Sequence, residues 1–286
     1  MTNSVKSRTM MICAMLIFGT IGVFVKYIPL PSSVIALARS VIGTLFLLLV
    51  SCVRKKAPSF VVIRKNLWRL LILGIFLGAN WILLFESYRY TTVAIATLCY
   101  YLAPVFVVLA SPILGERLTA KKLIFSAIAL LGMVLVSGVI GGGEISVTGA
   151  LLGVAAALLY AAIILLNKKL TDISANDVTI AQLGISAVVV GIYVLLTEDF
   201  SQMNLAFGEG VLLAVVGVVH TGVAYALYFA AVKALPAQTS ALFAYIDPVC
   251  AIILSALFLA EPMTVTTAIG AVLILGSTLA SEIFNK

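Results

Sequence analysis

Apolar runs of about twenty residues recur along this chain with little between them, and that recurrence dictates the solvent in which it folds. Delimited by proline, glycine and charge, they cover 9–28, 33–53, 67–89, 92–114, 119–139, 147–167, 178–197, 209–232, 238–260 and 264–284. A helix rising ~1.5 Å per residue needs about 20 residues to cross a ~30 Å hydrocarbon core. The expected fold is therefore an all-α integral membrane protein of ten transmembrane helices. Composition agrees: of 286 residues, 63% are hydrophobic and only 10% charged, against roughly a quarter charged in soluble domains. Spans of this size leave no room for a soluble catalytic or regulatory domain. The first run follows Lys6 and Arg8 but shows no convincing cleavage site, so it reads as a retained helix and not a signal peptide.

A net charge of +7 could suggest nucleic acid as a partner. The basic residues alternate with apolar spans, however, and this pattern sets membrane orientation; it does not make a phosphate-binding face. With the N-terminus in the cytoplasm, Lys6, Arg8, Arg54, Lys55, Lys56, Arg64, Lys65, Arg69, Arg117, Lys121, Lys122, Lys168, Lys169, Lys233 and Lys286 fall inside. Lys26 and Arg89 fall outside, where Glu144, Glu198, Asp199, Glu209 and Glu261 collect. The expectation is a multi-pass protein of the cell (inner) membrane with both termini cytoplasmic. Cys13, Cys52, Cys99 and Cys250 lie far apart without a CxxC pair and read as small core residues.

The chain also repeats itself. The segment Phe85–Pro104 aligns without gaps on Phe229–Pro248, bringing Arg89 opposite Lys233 and Trp81 opposite Tyr225. Upstream, Leu16-Ile-Phe-Gly-Thr-Ile matches Leu158-Leu-Tyr-Ala-Ala-Ile, and Glu116-Arg-Leu-Thr matches Glu261-Pro-Met-Thr with one inserted residue. Two repeats of five spans, 1–143 and 144–286, follow. An odd span count turns the second copy upside down, the arrangement in which two halves exchange conformations about a midplane site.

The run from Asn80-Trp81 through Tyr100-Tyr101-Leu102-Ala103-Pro104 to Gly115-Glu116-Arg117-Leu118-Thr119 resembles the EamA family of the drug/metabolite transporter superfamily. So does Tyr245-Ile246-Asp247-Pro248 through Glu261-Pro262-Met263-Thr264. The resemblance covers both halves and implies a central cavity between two inverted repeats. It also implies alternating access for amino acids, amines, nucleobases or similar metabolites, often outward. The halves differ where polarity matters: Ala230 stands opposite Glu86, and Gln182 opposite Arg39.

Ionisable groups in spans are expensive, at least ~2.5–3.5 kcal/mol each on insertion scales, and need a partner, water or a function. Asp247 lies about nine residues into the ninth span, ~13 Å along its axis, ahead of the helix-breaking Pro248. It reads as a proton-coupling or cation-binding carboxylate, or as a structural aspartate bonded to a neighbouring helix. His220, the only histidine, could exchange protons or bind a solute, or could simply pack. Arg39 and Glu86 share a depth near the outer surface. They could close that side as an ion pair, although Glu86 can equally bond Arg89 three residues on. Tyr88, Tyr90, Tyr100, Tyr101, Tyr225, Tyr228 and Tyr245 supply aromatic rings with hydroxyl tips; Tyr88 and Tyr90 suit an interfacial belt. Trp81, Tyr100, Tyr101, Tyr225 and Tyr245 suit a cavity lining, beside Asn80.

These residues form the expected solute site: Asn80, Trp81, Tyr100, Tyr101, His220, Tyr225, Tyr245 and Asp247. The expected partners are a small-molecule solute and the bilayer, with no nucleic acid, cofactor or metal. The chain contains no HExxH, GxSxG or P-loop, so the reading is a secondary transporter coupled to protons or working by exchange. The alternatives are an intramembrane enzyme or a channel without alternating access.

Overall fold

The computed structural model describes residues 3–55, 60–91, 93–136, 146–170, 172–258 and 264–284. Lys56, Glu144, Glu261, Lys286 and the expected boundary between halves at 143–144 lie outside them. The described residues are helical throughout, joined by short turns. The first is α1 (Asn3–Val25), followed by α2 (Ser32–Val53), a six-residue α3 (Phe60–Lys65) and α4 (Leu67–Tyr90). Next come α5 (Val93–Tyr100), α6 (Ala103–Ala110), a 3-10 turn (Ser111–Leu114), α7 (Ala120–Val136) and α8 (Val147–Lys168). After α9 (Ala175–Thr197), α10 (Phe207–Gly217) passes through a π-helical turn (Val218–Val223) into α11 (Ala224–Ala234). The chain closes with α12 (Ala237–Phe243), α13 (Ile246–Phe258) and α14 (Val265–Phe284).

Among the described residues, seven helical segments are long and apolar enough to cross a bilayer. They are Val5–Val25, Ser32–Val53, Leu67–Tyr90, Ile95–Leu114, Val147–Lys168, Ala175–Thr197 and Phe207–Ala234. Large apolar side chains such as Leu45, Leu49, Leu195, Leu196 and Val272 point away from the protein interior, as lipid-facing groups do. The three other expected spans fare differently. The one at 119–139 meets α7 and then residues outside the described set. The one at 238–260 is split into α12 and α13, and that at 264–284 holds a shorter apolar stretch, Ala268–Ser281. The helix α3 was not expected; it falls in a stretch read as a loop.

Two helices break where the sequence places its paired prolines. A turn at Tyr101–Leu102 separates α5 from α6, which restarts at Ala103-Pro104. A turn at Ala244–Tyr245 separates α12 from α13, which restarts at Ile246-Asp247-Pro248. Proline has no N–H to give the preceding turn and its ring crowds the carbonyl four residues back, so each helix yields just ahead of it.

Packing is by close backbone approach. α4 runs along α8 and α9, α1 along α11 and α13, α2 along α9 and the π turn, and α14 along α7. Glycine permits this. A Cβ on Gly74 would sit 2.4 Å from Ile185 Cβ, and one on Gly217 2.5 Å from Ile42 Cβ. Likewise Gly78 meets Val189 and Gly222 meets Phe46, each at 2.8 Å or less. Gly74 and Gly78 are four residues apart, whereas Gly217 and Gly222 are five apart. The additional residue is accommodated by the π turn, which widens one helical ring to admit it.

The bundle has a basic end and an acidic end. At the basic end, Asn176 at the start of α9 donates to Ser51 Oγ near the end of α2 at 2.9 Å, and Lys233 at the end of α11 donates to Ile173 O. Arg54, Lys55, Arg64, Lys65, Arg69, Lys168 and Lys169 cluster there, at the adjoining ends of α2, α3, α4 and α8. At the acidic end, Ser33 donates to Glu198 Oε1 at 2.6 Å, and Glu209 accepts from the Ala206 N–H at 2.7 Å. Cys13 and Cys52 were expected in the core but are exposed, with Cys99 and Cys250 partly buried. In lipid an outward thiol is simply one more weakly polar surface group.

Candidate functional site

The two helix breaks touch one another and both line a cavity of about 470 Å³. This lies within the range of small-molecule pockets. α1 contributes Phe18, Gly19 and Gly22; α2 contributes Arg39; α4 contributes Trp81, Phe85 and Tyr88. Tyr100, Tyr101 and Pro104 come from the first break, Ala244 and Asp247 from the second, and Tyr160, Tyr225 and Tyr228 from α8 and α11. Gly19 lets α1 press directly on the second break, because a Cβ there would lie 2.8 Å from the Asp247 carbonyl oxygen and 2.6 Å from Cys250 Cβ.

The walls are aromatic and the charges few. Tyr225 stands edge-on to Phe18 at 5.0 Å and to Trp81 at 6.0 Å between ring centroids. Tyr160 stacks on Tyr228, and its hydroxyl donates to that of Tyr228 at 2.7 Å. Arg39 lays its guanidinium 4.5 Å from the Trp81 ring centroid, a cation–π arrangement, and points Nη2 at the Tyr225 hydroxyl, 3.5 Å away. Its Nε is buried with no hydrogen-bond partner among the described residues. Asp247 accepts from the Tyr101 hydroxyl at 3.3 Å. One cation and one anion thus share an aromatic chamber, and neither is neutralised by the other in an ion pair.

Of the residues expected at the site, Trp81, Tyr100, Tyr101, Tyr225 and Asp247 line the cavity. Asn80, His220 and Tyr245 do not. Asn80 is fully buried and donates to the Ala156 carbonyl at 2.6 Å, tying α4 to α8. Tyr245 is buried in a separate apolar cluster with Met133, Val249 and Ile274, and donates to the Tyr101 carbonyl at 3.2 Å. His220 sits in the π turn with its ring 4.8 Å from that of Phe24 and Nε2 2.7 Å from Thr20 Oγ1. The Thr20 hydroxyl also lies 2.6 Å from the Ile17 carbonyl, so its contact with the imidazole ties α1 to the π turn.

The expected Arg39–Glu86 pair is not formed. Arg39 turns inward to Trp81 and Tyr225, while Glu86 is bonded by Arg89 at 3.0 Å and by the Tyr193 hydroxyl. Tyr88, read as part of an interfacial belt, lines the cavity; Tyr90 is exposed. Sequence reading missed Tyr160, although the alignment of the two halves sets it opposite Phe18. That pairing is the signal by which it could have been found.

The cavity extends toward the acidic end. Phe85 and Tyr88 also wall a second space of about 290 Å³ between Ser33, Glu86, Arg89, Tyr193 and Glu198. Toward the basic end it is floored by bonds across the bundle. Glu116 accepts from the N–H groups of Ala237 at 2.5 Å and Gln238 at 3.2 Å, and Gln238 Nε2 donates to Ser111 Oγ and to the Arg117 carbonyl. Hydrogen bonds to a charged acceptor contribute about 1.5–3 kcal/mol. Glu116→Ala is therefore expected to speed thiol labelling of an Ala237→Cys probe by roughly ten- to a hundredfold. An unchanged labelling rate would show that Glu116 does not hold the floor shut.

The family model described as the EamA-like transporter family matches residues 6–138 and again 147–281. The chain is 30% identical over 252 residues to the uncharacterized transporter YxxF of Bacillus subtilis (strain 168), covering 87% of this chain and 80% of that one. An uncharacterized transporter of Archaeoglobus fulgidus is 27% identical over 264 residues, covering 92% and 91%. A solved crystal structure, 21% identical, superimposes with a TM-score of 0.86 over 97% of this chain and 96% of the other, a likeness of fold. The chain is a multi-pass membrane transporter belonging to the EamA-like transporter family of the drug/metabolite transporter superfamily.

Proposed function

We propose that the protein is a secondary transporter that moves a small zwitterionic or cationic metabolite, such as an amino acid or amine, by alternating access. The observation that carries this reading is the joint presence of Arg39 and Asp247 in one aromatic cavity of about 470 Å³. Arg39, which lines the cavity and makes no ion pair among the described residues, can offer its guanidinium to a carboxylate. Asp247 offers an acceptor to an ammonium, and Trp81, Tyr100, Tyr101 and Tyr225 suit a cation or an apolar side chain. Asp247 and His220 are the groups we assign to proton coupling. Asn80 and Tyr245 then serve the site from behind its walls, and Arg39–Glu86 pairing belongs to a state in which the acidic end has closed.

Ten spans in two inverted halves, 1–143 and 144–286, give the moving parts. Reciprocal packing supports the repeat: Gly74 against Ile185 and Gly217 against Ile42 exchange with one another when the halves are swapped. So do α4 along α8 and α11 along α1. The breaks at Tyr101–Leu102 and Ala244–Tyr245 fall within one residue of each other in the alignment of the halves. With the basic end cytoplasmic, both termini lie on the cytoplasmic side of the cell membrane and the cavity opens outward.

Counterflow in proteoliposomes tests the proposal. Preloading with unlabelled amino acid or amine is expected to accelerate uptake of the labelled solute, and uptake should saturate. Non-saturable flux accompanied by single-channel currents would replace the transporter with a channel.

A further inference from the structure

At the basic end, a cleft of about 410 Å³ is lined by Lys65, Asn66, Trp68, Arg69 and Asp172. We propose that it binds a phospholipid headgroup carrying both a phosphate and an ammonium, that is, phosphoethanolamine.

Charge selects the headgroup. Two cations and one anion face a single space, yet among the described residues Lys65, Arg69 and Asp172 make no ion pair or side-chain hydrogen bond, and in particular none with each other. A purely anionic ligand would satisfy Lys65 and Arg69 while being repelled by Asp172. A choline headgroup has no N–H to give Asp172. A phosphate joined by two carbons to a primary ammonium complements all three: phosphate on Lys65 and Arg69, ammonium on Asp172.

The walls are anchored from below. Ile173, next to Asp172, and Leu170 are each 3% exposed, and the Ile173 carbonyl is bonded by Lys233. Asp172 adopts a left-handed backbone with φ of 60°, which aspartate tolerates better than most residues. On the other side Asn66 is buried, with Nδ2 donating to the Val62 carbonyl at 3.0 Å, and it fixes the corner between α3 and α4.

The cleft also lies at headgroup depth. Trp68 is 75% exposed and Val61, on α3, 78% exposed, beside Arg64 and Lys65. An indole next to cations marks the height of the glycerol and phosphate groups. The cleft lies at the opposite end of the bundle from the opening of the aromatic cavity, and the proposal does not depend on the solute route.

Native mass spectrometry of the full chain in detergent, titrated with phosphatidylethanolamine, phosphatidylglycerol and phosphatidylcholine of matched acyl chains, tests it. Phosphatidylethanolamine is expected to be retained about tenfold over either competitor, and Lys65→Ala with Arg69→Ala to abolish the preference. Asp172→Asn, an exposed loop change, should reverse the order of phosphatidylethanolamine and phosphatidylglycerol. Equal or greater retention of phosphatidylglycerol by the unmodified chain, or an unaltered preference in Asp172→Asn, overturns the assignment. Displacement by glycerophosphoethanolamine at equal concentration would overturn the lipid as source and leave a soluble headgroup in its place.

Discussion

Proteoliposomes carrying Asp247→Asn are expected to lose most solute flux, on the order of ten- to a hundredfold, and to lose the pH dependence of what remains. Asparagine keeps the shape and can still accept from the Tyr101 hydroxyl, which lies 3.3 Å from the carboxylate. What disappears is the negative charge, and hydrogen bonds to charged groups contribute about 1.5–3 kcal/mol, a factor of roughly 10–150. Tyr101→Phe removes only the neutral partner and should cost about three- to tenfold. Arg39→Gln installs the residue that stands opposite in the other half. It should raise KM for a zwitterion far more than for a simple amine, since only the former has a carboxylate to lose. Flux and pH profile unchanged in Asp247→Asn would remove that carboxylate from both binding and coupling. An equal KM change for zwitterion and amine in Arg39→Gln would make Arg39 a wall of the chamber and nothing more.

The second large effect is on assembly. Gly217→Leu is expected to abolish recovery of monodisperse protein, and Gly217→Ala to lower its thermal midpoint markedly, because a Cβ there would meet Ile42 at 2.5 Å. Overpacking a filled helix contact costs about 1–3 kcal/mol per added group where neighbours can yield, and more where they cannot. Here the neighbour is a β-branched side chain on an adjacent helix, which has little freedom to withdraw. Ile42→Gly in the same chain, which removes the clashing Cβ itself, should restore part of the midpoint lost in Gly217→Ala. Gly74→Ala should behave alike, with Ile185→Gly as its rescuer, since a Cβ there meets Ile185 Cβ at 2.4 Å. Gly276→Ala serves as the control: a Cβ at that position meets nothing within 4 Å. Equal loss at Gly276 and Gly217 would mean that close approach is not what Gly217 supplies, since chain entropy alone makes Gly→Ala in a helix stabilising.

What the sequence made legible was depth along the helix. Run length and flanking charge located α2, α4, α8 and α9 to within a few residues, because lipid leaves no alternative to a continuous helix. Rotation about the helix axis was much less legible. Lipid and protein interior are both apolar, so a span carries little amphipathic signal to say which side faces a cavity. Asn80 and Trp81 are adjacent at one depth, yet Trp81 enters the chamber and Asn80 turns to the Ala156 carbonyl on α8. Tyr101 and Tyr245 were placed together by alignment, and only Tyr101 lines the space. Arg39 was matched with Glu86 on depth and sign, but the ring of Trp81 and the hydroxyl of Tyr225 lie on its own side. The helix α3 escaped notice because six residues carry too little periodicity to distinguish a short helix from a turn.

The widened ring at Val218–Val223 breaks the equality of the two halves. A machine with perfect twofold symmetry would be indifferent to which mouth is open, its two resting poses having the same free energy. In the inverted arrangement proposed above, one surplus amino acid, seated where α2 meets α10, would lift that degeneracy. Under alternating access the preference of the empty carrier for one side of the membrane would then be written into the backbone at this ring, independently of any solute. Excising Val219 to recreate the four-residue spacing of Gly74 and Gly78 should redistribute the poses, read as a changed ratio of inward to outward labelling rates.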